Sequence, residues 1–262
     1  MSVRFPAEIY SRFRPEYPGE LYGLLRMWGT EAGLKFPLTV ADIGCGTGQS
    51  TVGLVRSGLA REIFALEPDA AMLAQAELRA PLAASSVKFM KQPGEATDLP
   101  NERVDVITCF SAFHWMNRER AAWEFTRVLR KPGLIFLAEY GFPIASTRAH
   151  FNDWIREKLR GEWQSPELRD RESFADLVKV IAARPGANDL GVRPVAMTLK
   201  LGWQQVAGLI QSQSRYTRHR DHLESEDERQ WLDQQTTNKT KELLGENAET
   251  FDFRLLATGF AF

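Results

Sequence analysis

A glycine-rich stretch near the start of the chain has the residue types and spacing of a ligand-binding loop. In residues 39–49, TVADIGCGTGQ, a short apolar segment runs into Asp42 and is followed by Gly44, Gly46 and Gly48. Glycine has no Cβ, so its backbone adopts conformations closed to other residues and lets a ligand approach the main chain. A helix that begins after the last glycine presents unpaired N–H groups and the positive end of its dipole. The stretch therefore predicts a loop that binds an anionic or oxygen-rich group.

The spacing of the glycines separates two classes of nucleotide cofactor. Dinucleotides and S-adenosylmethionine both fit such a loop, and the dinucleotide motif places its third glycine three residues after the second. Here Gln49 lies three residues after Gly46, and the third glycine is Gly48. The spacing favours S-adenosylmethionine over NAD.

A second apolar segment, residues 62–67 (EIFALE), also ends in an acid, Glu67. In a parallel sheet it is expected to lie beside the first strand, with Glu67 at the carboxyl edge, where a carboxylate accepts hydrogen bonds from both ribose hydroxyls. Asp69 is expected to cap the following helix, on which Met72 forms an apolar wall for a purine. Both cofactors contain adenosine, so Glu67 alone does not distinguish them.

Five motifs, in order along residues 5–140, resemble those of the class I S-adenosylmethionine-dependent methyltransferases. They are DIGCGTG at 42–48, EPD at 67–69, GEATDLP at 94–100, AFHW at 112–115 and RVLRKPG at 127–133. More narrowly, the chain is similar to the small-molecule branch that includes trans-aconitate methyltransferase and related uncharacterised methyltransferases. Many members carry two successive glycines at the last turn, whereas here Leu134 follows Gly133. The resemblance implies an α/β, Rossmann-like fold: a mostly parallel seven-stranded sheet with helices on both faces and a helical cap.

The organisation of the chain is predicted to be a single methyltransferase domain over residues 1–262. Its expected parts are an N-terminal cofactor-covering segment (1–37), a cofactor-binding core (38–140), a helical insertion or lid (141–190) and a C-terminal part that completes the sheet (191–262). Short apolar runs alternate with helical patterns in the core, which predicts parallel strands joined by helices. Two further strands are predicted at residues 192–201 and 251–262.

The resemblance implies that the cofactor lies along the carboxyl ends of the strands. The residues expected to bind it are Tyr10, Arg14, Asp42, Gly44, Cys45, Gly46, Gly48, Glu67, Pro68, Met72, Glu95, Ala96 and Phe110. Asp42 has two alternative roles. It either contacts the methionine ammonium group through water or fixes the loop by accepting N–H bonds.

Two of these assignments have open alternatives. For the adenine amino group, Glu95 with Ala96 is favoured over Asp98. Whichever of the two acids does not bind the adenine is then an ordinary loop acid. For Tyr10 and Arg14, the alternative to contact with the methionine end of the cofactor is packing against the domain.

The methyl group is expected to meet its acceptor after the fourth strand, where His114 and Trp115 lie. Methyl transfer from a sulfonium is an in-line displacement, and positioning supplies much of the barrier reduction. His114 is the candidate base for a hydroxyl or amine acceptor, whereas a carboxylate acceptor needs no base. Ser214 and Arg215 are candidate substrate contacts, because the arginine fork matches a carboxylate. The alternatives are a packing role for His114 and a solvated basic loop around Arg215.

Composition limits the partners. The 262 residues carry a formal net charge of -1, so a broad basic surface for nucleic acid is not expected. Two cysteines, no secretory leader and no apolar run near the ~20 residues of a membrane span indicate a protein of the cytoplasm. His219 and His222 lack a third ligand at a known spacing, so no metal is expected. The predicted partners are a small-molecule acceptor and, at most, a second copy in a homodimer.

The predicted function is transfer of a methyl group from S-adenosylmethionine to an unidentified small molecule, releasing S-adenosylhomocysteine. A carboxylic acid is one candidate acceptor. The alternatives are a cofactor-binding module without turnover and an NAD-dependent oxidoreductase, which the glycine spacing disfavours. A nucleic-acid methyltransferase is disfavoured as well, since the chain has no Asn/Asp-Pro-Pro-aromatic motif.

Overall fold

The computed structural model of the protein describes residues 6–83, 86–164 and 173–262. It divides into two compact units, each described below by itself. The sheet unit comprises Pro15–Gly141, Glu172–Ala196 and Arg254–Phe262. The helical unit comprises Met1–Arg14, Phe142–Arg171 and Met197–Phe253. Ser165 and Pro166, which interrupt the predicted lid, lie outside the described residues.

The described residues form ten strands and eleven α-helices. The strands are β1 (Leu38–Ile43), β2 (Ala60–Leu66), β3 (Val87–Met90), β4 (Val104–Phe110), β5 (Leu129–Glu139), β6 (Ile144–Ala145), β7 (Asn188–Val195), β8 (Thr198–Leu201), β9 (Glu249–Asp252) and β10 (Leu255–Ala261). The helices are α1 (Ala7–Phe13), α2 (Gly19–Glu31), α3 (Gln49–Ser57), α4 (Ala70–Glu77), α5 (Ala80–Ala83), α6 (Arg118–Val128), α7 (Ala149–Arg160), α8 (Phe174–Ala182), α9 (Trp203–Gln211), α10 (Ser214–Asp221) and α11 (Glu226–Leu244), with a short 3-10 helix at Phe113–Trp115.

The sheet unit is built on a seven-stranded sheet in the order β3-β2-β1-β4-β5-β10-β7. Strands β1 to β5 pair in parallel, and β10 is antiparallel to both β5 and β7. The predicted seven-stranded, mostly parallel sheet is confirmed. The strand order reverses between β1 and β4, and ligands of open α/β sheets bind at the carboxyl ends of the strands beside such a reversal.

The centre of this sheet is buried on both faces, as parallel sheets require. All six residues of β1 are buried. On one face, Phe125 and Val128 of α6 pack in a common core with Ile107 of β4 and Leu137 of β5. This packing fixes α6, and with it the loops that precede it at the carboxyl edge.

Helix α2 supports the start of α3 through one aromatic side chain. The hydroxyl of Tyr22 donates a hydrogen bond of 2.9 Å to the carbonyl oxygen of Ser50. The ring lies so close to α3 that a Cβ on Gly53 would be 2.1 Å from its Cζ atom. The lack of a side chain at Gly53 therefore lets α2 hold the helix that follows the glycine-rich loop.

The C-terminal strands differ from the prediction. Residues 192–201 form parts of two strands, β7 and β8, and residues 251–262 form parts of β9 and β10, in two different sheets. Arg254 interrupts the second segment because its φ of +46° lies in the left-handed region, which a strand does not adopt. The N–H of the preceding residue, Phe253, donates a hydrogen bond to the carbonyl oxygen of Met197, which lies between the end of β7 and the start of β8.

The helical unit combines α1, α7, α9, α10 and α11 with a three-stranded antiparallel sheet in the order β6-β9-β8. Helix α1 packs on α9 at Gly208, where a Cβ would lie 2.3 Å from the ring of Phe13. The predicted lid, residues 141–190, is divided between the units: α7 belongs to the helical unit, whereas Val178 and Ile181 of α8 lie in the core of the sheet unit. Of the helices that the structure describes, none is long and apolar enough to cross a membrane.

We expect Gly53→Ala to destabilise the protein, although alanine ordinarily favours a helix over glycine by about 1 kcal/mol. The added methyl group overlaps the Tyr22 ring, and overpacking of this kind costs roughly 1–3 kcal/mol. Gly23→Ala in α2 is the matched control, since its Cβ would meet nothing within 4 Å. Urea denaturation should show a lower free energy of unfolding for the first variant and an equal or higher one for the second. Equal stabilisation by both substitutions would contradict the described contact.

Candidate functional site

The glycine-rich loop between β1 and α3 has a backbone that favours glycine at three positions. Gly44, Gly46 and Gly48 have φ angles of +69°, +56° and +87°. All lie in the left-handed region that side chains with a Cβ rarely adopt. Gly48 is the N-cap of α3, so the loop leads directly into the helix N-terminus. The predicted turn and the helix start are confirmed.

The loop is held against the neighbouring strand by main-chain bonds. The carbonyl oxygen of Leu66, at the end of β2, accepts hydrogen bonds from the N–H groups of Gly44 (2.8 Å) and Cys45 (3.0 Å). The other side of Gly44 is closed, because a Cβ there would lie 2.4 Å from the Cβ of Ala112. Around Gly46 the space is wider, with Met72 Cε 3.5 Å from the position of a Cβ. The loop is therefore rigid at Gly44 and most approachable at Gly46.

Glu67 connects the loop with the residues after β2. Its Oε2 accepts the N–H of Gly46 at 3.1 Å, and its Oε1 accepts the N–H of Asp69 at 3.0 Å. Burial raises the pKa of Glu67, while these two N–H bonds lower it. Each carboxylate oxygen accepts one of these N–H bonds and has a further lone pair with which it can accept a second hydrogen bond. Pro68 beside it is exposed, and Met72 on α4 is buried.

Asp42 acts within the protein. Its side chain has no exposed surface, and its two oxygens accept hydrogen bonds from the hydroxyls of Ser50 (2.7 Å), Thr51 (2.6 Å) and Thr108 (2.8 Å). Burial raises the pKa of Asp42, and the three hydroxyl bonds oppose that effect. Of the two roles considered from the sequence, this geometry matches fixation of the loop, but with O–H donors instead of the expected N–H donors. A carboxylate without exposed surface makes no direct ligand contact in this conformation.

The acids after β3 have separate partners. Asp98 and Gln92 bond each other twice: the amide group of Gln92 donates to the carboxylate, and the N–H of Asp98 donates to Gln92 Oε1 at 3.0 Å. Glu95 accepts the N–H of Asn117, at the start of α6, at 2.8 Å. Ala96 is exposed. Asp98 thus closes its own loop and Glu95 holds the start of α6, and the preference for Glu95 with Ala96 at the adenine stays a prediction.

A network that the sequence analysis did not single out holds this loop on α6. Glu124 Oε1 accepts bonds from the N–H (2.7 Å) and the hydroxyl (2.6 Å) of Thr97. Arg127 donates to Glu124 at 2.6 Å and to the carbonyl oxygen of Leu99 at 2.9 Å. Burial opposes ionisation of Glu124, but the bonds from Arg127 and Thr97 outweigh it and lower its pKa. The spacing of Glu124 and Arg127 on one helix was the available signal.

Aromatic rings close the ends of β4 and β5. Phe110 is buried, and its ring lies 5.0 Å from that of Tyr17 and 5.7 Å from that of Phe136. Tyr17 also lies 5.6 Å from Tyr140 and donates a hydrogen bond of 3.1 Å to the hydroxyl of Ser111. The side chain of Phe110, predicted to contact the cofactor, is committed mainly to this cluster.

His114 lies beside a carboxylate at the same edge. Its Nδ1 is 3.6 Å from Oε2 of Glu139, the last residue of β5, and the two side chains are 8% and 18% exposed. The Trp115 ring is 4.8 Å from the imidazole and is 38% exposed. The structure therefore brings the predicted base together with an acid that the sequence analysis missed.

Four of the predicted contacts lie in the helical unit. Arg14 donates to the hydroxyl (2.9 Å) and the carbonyl oxygen (3.0 Å) of Ser212 and stacks on Tyr10, with Cζ 4.8 Å from the ring centre. Arg215 donates to the carbonyl oxygen of Leu159 at 2.6 Å, and Ser214 is the first residue of α10. The segment predicted as a possible solvated loop is thus a helix, and both arginines hold helix ends.

Both cysteines are buried and free. Cys45 packs with Ala65 and Leu73, whereas Cys109 belongs to the large core that contains Phe125. Burial raises the pKa of each thiol well above its usual value. They are packing residues, so the side chain of Cys45 is not arranged as a ligand contact. Within the described part of the chain, no group of three His, Cys, Asp or Glu side chains is placed to hold a metal ion.

Comparison with known proteins agrees with this arrangement. Residues 41–137, which contain the glycine loop, Glu67 and His114, match the family described as "Methyltransferase domain". A Saccharomyces cerevisiae protein named as an S-adenosylmethionine-dependent methyltransferase is 30% identical over 138 residues, 51% of this chain and 45% of that protein. A Mycobacterium tuberculosis protein named as an uncharacterized methyltransferase is 32% identical over 182 residues, 67% of this chain and 66% of that protein.

By this domain match and these relatives, the chain is similar to the class I S-adenosylmethionine-dependent methyltransferases. Its fold is similar to that of a type II methyltransferase structure from Anaeromyxobacter dehalogenans, with a TM-score of 0.66, 24% identity and coverage of 94% of this chain and 97% of the other. The sequence alignments cover less than two thirds of either relative. None of these three relatives is named as a trans-aconitate methyltransferase, so that narrower resemblance stays a prediction.

We expect Gly44→Ala to weaken binding of S-adenosylhomocysteine at least tenfold, because the added methyl group overlaps Ala112 and displaces the loop. Gly33→Ala is the matched control: its φ of +82° imposes a similar backbone strain, but its Cβ would meet nothing within 4 Å. It should lower the free energy of unfolding by only about 1 kcal/mol and leave the affinity unchanged. Isothermal titration calorimetry measures both. Equal loss of affinity in the two variants would contradict a role for the contact with Ala112.

We expect Glu124→Gln to reduce stability in a pH-dependent manner. Because the folded pKa of Glu124 is lowered, its contribution is present above the ordinary glutamate pKa and is lost as the pH falls through the folded value. The variant should be less stable than the parent at pH 7 by roughly 1–2 kcal/mol, and the difference should shrink in acid. Urea denaturation at several pH values tests this. A difference that grows in acid would show that the sign is wrong.

Proposed function

We propose that this methyltransferase moves a methyl group from S-adenosylmethionine to a small molecule and releases S-adenosylhomocysteine. One observation carries the proposal: the Gly46 N–H donates to Glu67 Oε2 at 3.1 Å, which joins the glycine loop and the ribose-binding acid into one structure at the ends of β1 and β2. The match of residues 41–137 to the methyltransferase-domain family supports the cofactor class. The name of the yeast relative, which includes S-adenosylmethionine, supports the same choice.

The residues at this edge fit the cofactor chemically. Glu67 has carboxylate lone pairs for the two ribose hydroxyls, and Met72 provides apolar surface for the adenine. Glu95 and Ala96 are proposed at the adenine amino group. The N-terminus of α3, beside Gly48, offers N–H groups and a positive dipole end to the methionine carboxylate. When bound, the cofactor supplies a methyl group activated by the positive charge on its sulfur.

The contribution of the protein to the reaction is proposed to be orientation of the acceptor and control of its proton. An in-line displacement needs the lone pair of the acceptor aligned with the bond that breaks, and rigid supports lower the cost of that alignment. The rings of Phe110, Tyr17 and Tyr140 pack on one another and give such a support at the ends of β4 and β5. His114 is the proposed base, and Trp115 is the proposed acceptor contact.

Several finer statements belong to the proposal. These are a single functional domain over residues 1–262, a cytoplasmic location, a monomeric or homodimeric state and the absence of nucleic acid among the partners. The acceptor is a small molecule of unidentified structure. The carboxylic acid considered in the sequence analysis depended on Ser214 and Arg215, and Arg215 holds the carbonyl oxygen of Leu159.

The test of this function is parallel calorimetric titration of the purified protein with S-adenosylhomocysteine, S-adenosylmethionine and NAD. The proposal expects heat from the first two and none from NAD. Binding of NAD alone would support an oxidoreductase and overturn it. Binding of the first two without methyl transfer to any acceptor would support a non-catalytic binding module.

We expect Glu67→Ala to weaken S-adenosylhomocysteine binding by about 10–100-fold, which corresponds to one or two charge-assisted hydrogen bonds. Glu77→Ala, on the exposed side of α4, is the control and should bind as the parent does. Circular dichroism and urea denaturation establish that the Glu67 variant is folded. Unchanged affinity in the folded variant would remove the ribose assignment.

A further inference from the structure

The ends of β4 and β5 carry a negative charge in a largely buried position. Glu139 is 18% exposed and lies with Oε2 3.6 Å from Nδ1 of His114, whose side chain is 8% exposed. Register places both strand ends together, since Phe110 pairs with Ala138, one residue before Glu139. A carboxylate at this distance from Nδ1 favours one orientation of the imidazole ring. The pair has the arrangement of a base with a supporting acid.

The surrounding charges have the same sign. Glu67 directly follows β2, Glu95 lies after β3 and Glu139 is the last residue of β5, so glutamates lie at or after three strand ends of this edge. Burial raises the pKa of the Cys109 thiol, in β4, and the nearby carboxylates of Asp42, Glu139, Glu95 and Glu67 raise it further. The edge is therefore electrically negative where the acceptor is expected.

A carboxylate acceptor fits this environment poorly. An anion beside Glu139 is repelled, and methylation of a carboxylate gives His114 no proton to accept. The two arginines predicted as ligand contacts bond other groups within the helical unit: Arg14 bonds Ser212, and Arg215 bonds Leu159. An acceptor that loses a proton during methylation gives His114 a proton to accept and Glu139 a positively charged ring to stabilise.

On the basis of the function proposed above, we propose that the acceptor is a hydroxyl or an amine, that His114 takes its proton, and that Glu139 is a positioning residue. The lone pair of the acceptor oxygen or nitrogen forms a bond to the methyl carbon, the bond between carbon and sulfur breaks, and its electron pair stays on sulfur. The proton of the acceptor moves to Nε2 of His114. Glu139, on the Nδ1 side, holds the ring and stabilises the positive charge that the ring gains.

The first experiment identifies the product bond. The protein is incubated with S-adenosylmethionine labelled in the methyl group and an equimolar mixture of carboxylic acids, phenols, alcohols and amines, and the products are then treated with mild base. Methyl esters release the label as volatile methanol, whereas methyl ethers and methylamines retain it. The proposal expects that the product retains the label, and that mass spectrometry and NMR locate the labelled methyl group on oxygen or nitrogen. Release of the label as methanol would overturn it while leaving the methyltransferase function intact.

The second experiment separates the roles of the pair, using the acceptor found in the first. His114→Ala should lower kcat by about 10²–10⁴-fold, with less than a twofold change in the affinity for S-adenosylhomocysteine, and added imidazole should restore part of the rate. His150→Ala, at an exposed position on α7, is the control and should be unaffected. An unchanged kcat in His114→Ala, or a lowered kcat that imidazole does not partly restore, would contradict the role of His114 as a base.

Glu139→Gln tests positioning. We expect a 10–100-fold lower kcat with an unchanged KM for S-adenosylmethionine, and partial recovery in Glu139→Asp, which keeps the charge. A purely structural role would instead raise KM and lower the stability of both variants.

Failure of the proposed methyltransferase function gives a different result from failure of this inference. In that case the parent protein does not bind S-adenosylhomocysteine, or it transfers no label to any compound in the mixture.

Discussion

The buried carboxylate of Asp42 is the interaction on which the geometry of the site depends. It lies at the end of β1 and accepts three hydroxyl hydrogen bonds, two from α3 and one from Thr108 on β4. A charge without exposed surface is tolerated only when its oxygens are well bonded. These bonds therefore tie the strand, the helix after the glycine loop and the neighbouring strand to one point. The loop can keep its left-handed backbone because both of its ends are fixed.

The acids at the carboxyl edge differ in what they bond. Asp42 bonds hydroxyls, Glu67 bonds main-chain N–H groups, and Glu139 lies beside an imidazole. Each environment fits the same chemical group to a different role: a structural anchor for Asp42 and, as proposed above, an acceptor for a sugar diol and a partner for a base. Burial raises the pKa of the first two, and the number of donors decides how far that effect is opposed.

Local patterns in the sequence predicted the parts of the site that are formed locally. The glycine loop and the acid after β2 depend on short runs of residues, so their spacing was informative, and the sheet followed from the alternation of apolar and helical segments. Glu139 was missed because its contact with His114 joins residues from two strand ends that only the register of β4 and β5 brings together. The break at Arg254 was missed because arginine carries no sequence signal for a positive φ.

The segment order of the helical unit has a consequence for engineering and for recombination in evolution. Three separate stretches of chain build that unit, and the seven-stranded sheet is built by the two stretches between them and by the last nine residues. A single deletion or a single exchange of a contiguous gene fragment therefore cannot remove or replace it without cutting the sheet. Grafting the helical unit of a relative onto this sheet unit requires that three stretches be exchanged together, with five junctions, after residues 14, 141, 171, 196 and 253.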